Sequence, residues 1–134
     1  MTRFHELPDS IDSDEIKNYF IQYLIYYCNN TDITNIYYAL NELLELADRQ
    51  WHTYQILDSA IVYQLEKYLE SIIDFDDEEI MDYILSIIPR IGMKSLFDYI
   101  LENKGCIHKK SILDNVNESE IEYGCTVDNP YAKM

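Results

Sequence analysis

The chain is 134 residues long, with 25 acidic against 10 basic residues and a formal net charge of −15. A single domain of this length can bury a sizeable core, and 48% hydrophobic residues argue against disorder. Such a field repels nucleic acid and anionic lipid and draws in basic partners, and no apolar run is long enough to span a bilayer.

The first residues, MTRFHELPDSIDSDE, lack an apolar signal core, so the expected compartment is the cytoplasm. Cys28, Cys106 and Cys125 are odd in number and widely spaced, which fits a reducing compartment rather than a disulfide framework. The sequons at Asn29 and Asn117 then read as chance matches. Only three glycines and three prolines limit tight turns and disfavour an all-β design.

Helical periodicity runs from residue 12 to about 103. The first helix carries Ile16, Tyr19, Phe20, Tyr23, Leu24 and Tyr27 on one stripe and is broken by Asn29-Asn30. A second, capped by Thr31 or Asp32, carries Ile33, Ile36, Tyr37, Leu40, Leu43, Leu44 and Ala47, with Trp51 at the next joint. The third carries Leu57, Ile61, Leu65, Tyr68, Leu69 and Ile72. The fourth carries Ile80, Tyr83, Ile84, Ile87 and Ile88, with Pro89 and Gly92 marking its end. The fifth carries Met93, Leu96, Phe97, Ile100 and Leu101 and closes at Asn103-Lys104-Gly105. Beyond that the sequence predicts one short helix near Lys109–Asn115 and an irregular tail.

Helix starts near residues 12, 32, 53, 76 and 92 give hairpins of roughly forty residues, the length of a HEAT-type unit. The expected architecture is all-α: five to six helices in antiparallel hairpins, arranged as a HEAT-like right-handed stack or a compact bundle. It forms one domain, with a helical core over 12–103 and a mostly irregular extension over 104–134.

The stretch IDFDDEEIMDY, residues 73–83, holds six carboxylates and no cation. As a calcium loop started at Asp74 it fails at the two most diagnostic positions, with Glu79 where Gly is needed and Leu85 where Glu is needed. As a helix start it works. Asp76 is expected as N-cap, Glu79 as its capping-box partner, and Phe75 with Ile80 as a hydrophobic staple. Asp77 and Glu78 suit the positive end of the helix dipole. Ile11, Asp12, Glu15 and Ile16 repeat the same grammar at the first helix. Capping leaves Asp74, Asp77, Glu78 and Asp82 as a surplus of exposed charge, joined by Glu66 and Glu70 from the preceding helix. The surplus reads either as a solvated face or as a landing site for a basic partner.

No catalytic constellation assembles. His5, His52 and His108 lie in no recognisable catalytic setting, and Cys106-Ile107-His108 lacks the second ligand pair of a metal site. No phosphate loop or nucleophile elbow is present, so no enzyme activity, cofactor or metal is expected. Of the thirteen tyrosines, Tyr19, Tyr23, Tyr27, Tyr68 and Tyr83 sit on apolar stripes, whereas Tyr26, Tyr38, Tyr54 and Tyr63 fall off them. Exposed tyrosine beside carboxylates is also the composition of an anchor-and-charge interface, and Tyr123 and Tyr131 join that set.

The run NIYYALNELLEL…SAIVYQLEKYLESIIDFDDEEIMDYILSIIPRIG and the closing YGCTVDNPYAKM resemble small acidic helical immunity proteins of bacterial polymorphic-toxin and contact-dependent growth-inhibition systems. The resemblance spans roughly residues 31–134. It implies a stoichiometric inhibitor that binds a cognate basic toxin domain, of nuclease type, in the cytoplasm, without touching nucleic acid or membrane itself. Its expected partner-binding residues are Asp74, Asp77, Glu78, Asp82, Glu66, Glu70, Tyr63, Tyr123 and Tyr131. The alternative reading is a helical-repeat adaptor for another basic protein, and an enzyme or regulatory subunit is a third.

Overall fold

A computed structural model of the chain describes residues 12–28, 36–53 and 56–124, and these form six α-helices with no strand. They are α1 (Ser13–Tyr23), continued by a π turn (Leu24–Cys28), α2 (Ile36–Trp51), α3 (Ser59–Ile72), α4 (Glu78–Ile91), α5 (Lys94–Glu102) and α6 (Lys110–Tyr123). A 3₁₀ turn, Lys104–Cys106, joins α5 to α6. The all-α expectation holds in its compact-bundle form.

The apolar stripes become the core. Ile16, Phe20, Tyr23, Leu40, Leu43, Leu65, Leu69, Ile84, Ile88, Phe97 and Ile100 are all essentially inaccessible to water. They pack as one cluster because each helix offers apolar side chains at helical spacing on a single face. The most extensive contact is α2 against α4, and α4 also packs on α6 and α5. Opposite them the α1–π segment touches α3, and α3 touches α5. The helices thus sort into an even-numbered and an odd-numbered row. Within each row neighbours run parallel: Asp82 and Leu85 of α4 meet Asn115 and Tyr123 of α6 in the same order. In the other row, Lys17 and Tyr23 of the first helix meet Asp58 and Tyr68 in order.

Local chemistry sets the helix ends. Asp12 accepts the Asp14 N–H at 3.2 Å, as expected of the first N-cap, while Ile11 lies outside the described residues. Thr31, Asp32 and Ile33 also fall outside them. The third helix starts at Ser59, not near 53, because the Asp58 carboxylate takes the N–H groups of Ala60 and Ile61. Those bonds hold Asp58 below the usual carboxylate range. Gly92 closes α4 in the left-handed region, φ 90°, and its N–H donates to the Ile88 carbonyl at 2.8 Å. Only glycine takes that conformation without a Cβ penalty. Pro89 does not end the helix but sits in its last full turn.

Three expectations need correction. Tyr37, placed on the apolar stripe, is exposed and reaches the start of α4 instead. The N-cap of α4 is Asp77, one residue later than Asp76. The helix after Gly105 is not short: α6 is 14 residues long, and Ile112 and Val116 are buried in the main core. Residues 125–134 lie outside the described residues. The Asn117 sequon falls within α6 with Ser119 buried, a poor context for a glycan.

Proline chemistry explains the α6 contact. Pro89 has no N–H to give the Leu85 carbonyl four residues back. The Tyr123 hydroxyl donates to that carbonyl from α6, at 3.0 Å. Burial of this phenol pushes its pKa up to about 12, and its ring packs on Phe97 at 5.2 Å. Tyr27 presents the opposite situation, because its hydroxyl is buried with no hydrogen-bond partner among the described residues. Phenylalanine should therefore act with opposite sign at the two sites. Tyr123→Phe is expected to lose about 1 kcal/mol, and Tyr27→Phe to gain up to about 1 kcal/mol. Urea unfolding of the two variants checks both signs, and a clear loss for Tyr27→Phe would contradict the assignment.

Candidate functional site

The carboxylate-rich segment 73–83 forms the turn between α3 and α4 and the first turn of α4, at one edge of the bundle. Its fine structure is a pair of nested caps. Asp74 accepts the Asp76 N–H at 2.9 Å, which folds the turn, and Asp77 then accepts the Ile80 N–H at 3.0 Å and starts the helix. The competition between Asp76 and Asp77 is settled from outside the segment: the Tyr37 hydroxyl of α2 donates to the second oxygen of Asp77. That bond, then the Ile80 N–H, holds Asp77 below the ordinary carboxylate range, and the carboxylate in turn raises the Tyr37 phenol. Phe75 is half-buried and meets Tyr99 of α5 at 6.1 Å, so the staple residue packs across the bundle.

The surplus carboxylates have a partial structural account. Glu78, Glu79 and Asp82 line a shallow groove with Ser111, Ile112 and Asn115 at the start of α6. Lys109, the N-cap of α6, makes no side-chain cap bond, and the start of α6, the positive end of its dipole, lines this groove beside the carboxylates. Asp82 also accepts the Asn115 amide at 3.4 Å.

Those contacts leave much of the charge unspent. Elsewhere the cations are used: Lys17 pairs with Asp58, Arg49 with Glu45, Lys67 with Glu70, Arg90 with Asp48, Lys94 with Asp98 and Lys104 with Glu120. Among the described residues, no ion pair reaches Asp74, Asp76, Glu78, Glu79 or Asp82, all of them exposed. The edge is therefore a concentrated patch of negative charge, with Lys109 the nearby cation that acts on Asp77 among the described residues.

Four of the nine residues expected at a partner site, Asp74, Asp77, Glu78 and Asp82, meet at this edge. Glu70 is half-buried and tied to Lys67 at 3.2 Å on α3. Tyr63 is exposed on α3, beneath the Lys67 ammonium. Tyr123 belongs to the core contact described above, and Tyr131 lies outside the described residues.

Glu66 corrects the expectation of an exposed charge. It is only 8% exposed, and its carboxylate accepts the Leu96 N–H at 2.7 Å. Met93, the N-cap of α5, has no capping side chain, so a carboxylate from α3 performs that task across the row. Desolvation raises the Glu66 pKa, opposed by the N–H groups of Leu96 and Ser95.

Tyr37 and Asn115 are the contributors to the edge that sequence reasoning missed. Two adjacent aspartates competing for one cap position were the available signal, since a third group has to choose between them. Among the described residues no three His, Cys, Asp or Glu side chains converge as a metal site, and no helix is long and apolar enough to cross a membrane. No family model, curated protein or solved structure matches the chain.

Proposed function

We propose that this chain is an immunity-type inhibitor that neutralises a basic toxin domain, of nuclease type, in the cytoplasm by laying its acidic edge on the toxin's cationic surface. The observation that supports the reading is the exposed set Asp74, Asp76, Glu78, Glu79 and Asp82, which forms no ion pair among the described residues. A cationic cleft built for phosphate would meet a rigid array of carboxylates held on a capped helix start. Long-range attraction then accelerates encounter, and the exposed ring of Tyr37, bonded to Asp77, offers an aromatic anchor.

The decisive experiment uses the neighbouring reading frame. A C-terminal domain encoded there that is toxic alone, harmless on co-expression with this chain and co-purified with it supports the proposal. Toxicity that persists without complex formation removes it. Charge reversal locates the surface. Asp76→Lys, Glu78→Lys and Glu79→Lys together spare the Asp74 turn bond, the Asp77 cap and the Asp82 bond. They should slow association with the toxin domain by tenfold or more, by roughly the lower end of electrostatic steering effects, and flatten its salt dependence. Stopped-flow mixing at two salt concentrations reads this, and unchanged rates move the interface elsewhere. A helical-repeat adaptor for another basic protein is the second reading, favoured by the two parallel rows of helices.

A further inference from the structure

Away from the acidic edge, an open groove of about 660 Å³ lies between the α1–π segment and α3. Its walls present Ile21, Ile25 and Tyr63, which are 40%, 61% and 60% exposed. Three large apolar side chains open to water along one groove are more than scattered surface exposure. Lys17 and Lys67 stand on the rim. Lys17 pairs with Asp58 at 3.6 Å, and Lys67 pairs with Glu70 at 3.2 Å while lying over the Tyr63 ring; such surface pairs exchange partners at little cost. The groove is therefore apolar, with Lys17 and Lys67 on its rim and Asp58 in its wall. An incoming carboxylate can replace Asp58 or Glu70 on either ammonium. The groove suits an aliphatic tip set among carboxylates.

The chain carries such a tip. Ile121, on the last turn of α6, is 86% exposed. Glu118 lies one turn back on the same face and Glu122 beside it, both exposed.

We propose that the groove receives the α6 end of a second copy of this chain. Ile121 seats between Ile21, Ile25 and Tyr63, while Glu118 and Glu122 face Lys17 and Lys67. Donor and acceptor are different patches, so the contact is heterologous, and each pair still offers one free groove and one free tip. Growth then continues head to tail or closes into a ring. The net charge of −15 on each copy opposes association at low ionic strength. Raising salt from about 0.01 M to about 0.15 M shortens the screening length from ~30 Å to ~8 Å and relieves that repulsion. Self-association therefore strengthens with salt, whereas a basic toxin on the acidic edge would bind more weakly. The two proposals fail separately.

Sedimentation equilibrium of the full chain from about 1 μM to 1 mM, at both salt levels, tests this. The probes are the wild type, Ile25→Glu and Ile121→Glu, both at exposed positions, with circular dichroism to confirm unchanged helix content. The wild type should gain mass with concentration, more so at the higher salt. Each variant should associate at least about tenfold more weakly, the loss expected for burying a carboxylate in place of an isoleucine. An equimolar mixture of the two variants should recover a dimer and nothing larger, because one intact groove meets one intact tip. A wild type that stays monomeric throughout, a variant that associates like wild type, or a mixture that stays monomeric overturns the proposal. A foreign apolar, acidic segment bound in the groove of a monomeric chain overturns it equally.

Discussion

Glu66→Ala is expected to destabilise the fold by about 3 kcal/mol, seen as a fall in melting temperature of roughly 10 °C. The substitution removes a charged acceptor bonded to the Leu96 N–H at 2.7 Å and leaves the first turn of α5 without any cap. Glu66→Gln keeps an acceptor oxygen and should lose much less. The pH dependence separates the two roles of this carboxyl. Desolvation raises its folded-state pKa, so its contribution is fully present below the unfolded pKa and is lost as pH rises through the folded value. The gap between wild type and Glu66→Gln should therefore narrow as pH climbs out of the acid range. Asp58 and Asp77 act in the opposite sense. Their lowered pKa values give stability above the unfolded carboxylate range that disappears as pH falls through the folded values. Denaturant melts across that range test both signs, and a gap that widens with pH would show that Glu66 is not paying for its burial.

Ile84→Ala should cost about 2–5 kcal/mol, a substantial part of the stability of a domain this size. Ile84 is fully buried on α4, the helix that α2, α5 and α6 all touch. Its removal opens a cavity that no single neighbour can collapse into without dragging on the others. A large-to-small change outside the helices, Leu57→Ala just before α3, should cost less, since Leu57 keeps 5% exposure. Equal losses at the two sites would count against α4 as the centre of the bundle.

The parts of the fold that depend on local pattern were legible. Five apolar stripes, the cap at Asp12 and the stop at Gly92 all follow from neighbours within one or two turns. Even the division of tyrosines was readable: Tyr23 and Tyr27 are buried, while Tyr26, Tyr38 and Tyr63 stand off the stripes. What escaped was settled by distant partners. Asp76 and Asp77 are equivalent as caps until Tyr37, forty residues away, selects the second. Glu66 looks like one more surface carboxylate on α3 until the start of α5 arrives above it. The sixth helix was underestimated because Asn, Asp, Ser and Glu dilute its stripe to Ile112, Val116 and Tyr123, spaced four and then seven apart. Pro89 held a further clue, since a proline inside a helix announces a carbonyl four residues back that some other group has to satisfy.

The sorting of helices into rows also decides where the chain can be cut. Since α2 packs on α4 and α4 on α6, the main contacts skip a helix, and no single hairpin encloses a core of its own. Shortening the chain before Lys110 would strip Ile112 and Val116 from α4 and leave the Leu85 carbonyl bare. The smallest folding unit is thus larger than the forty-residue period suggests, and unfolding should proceed as one cooperative event rather than pair by pair.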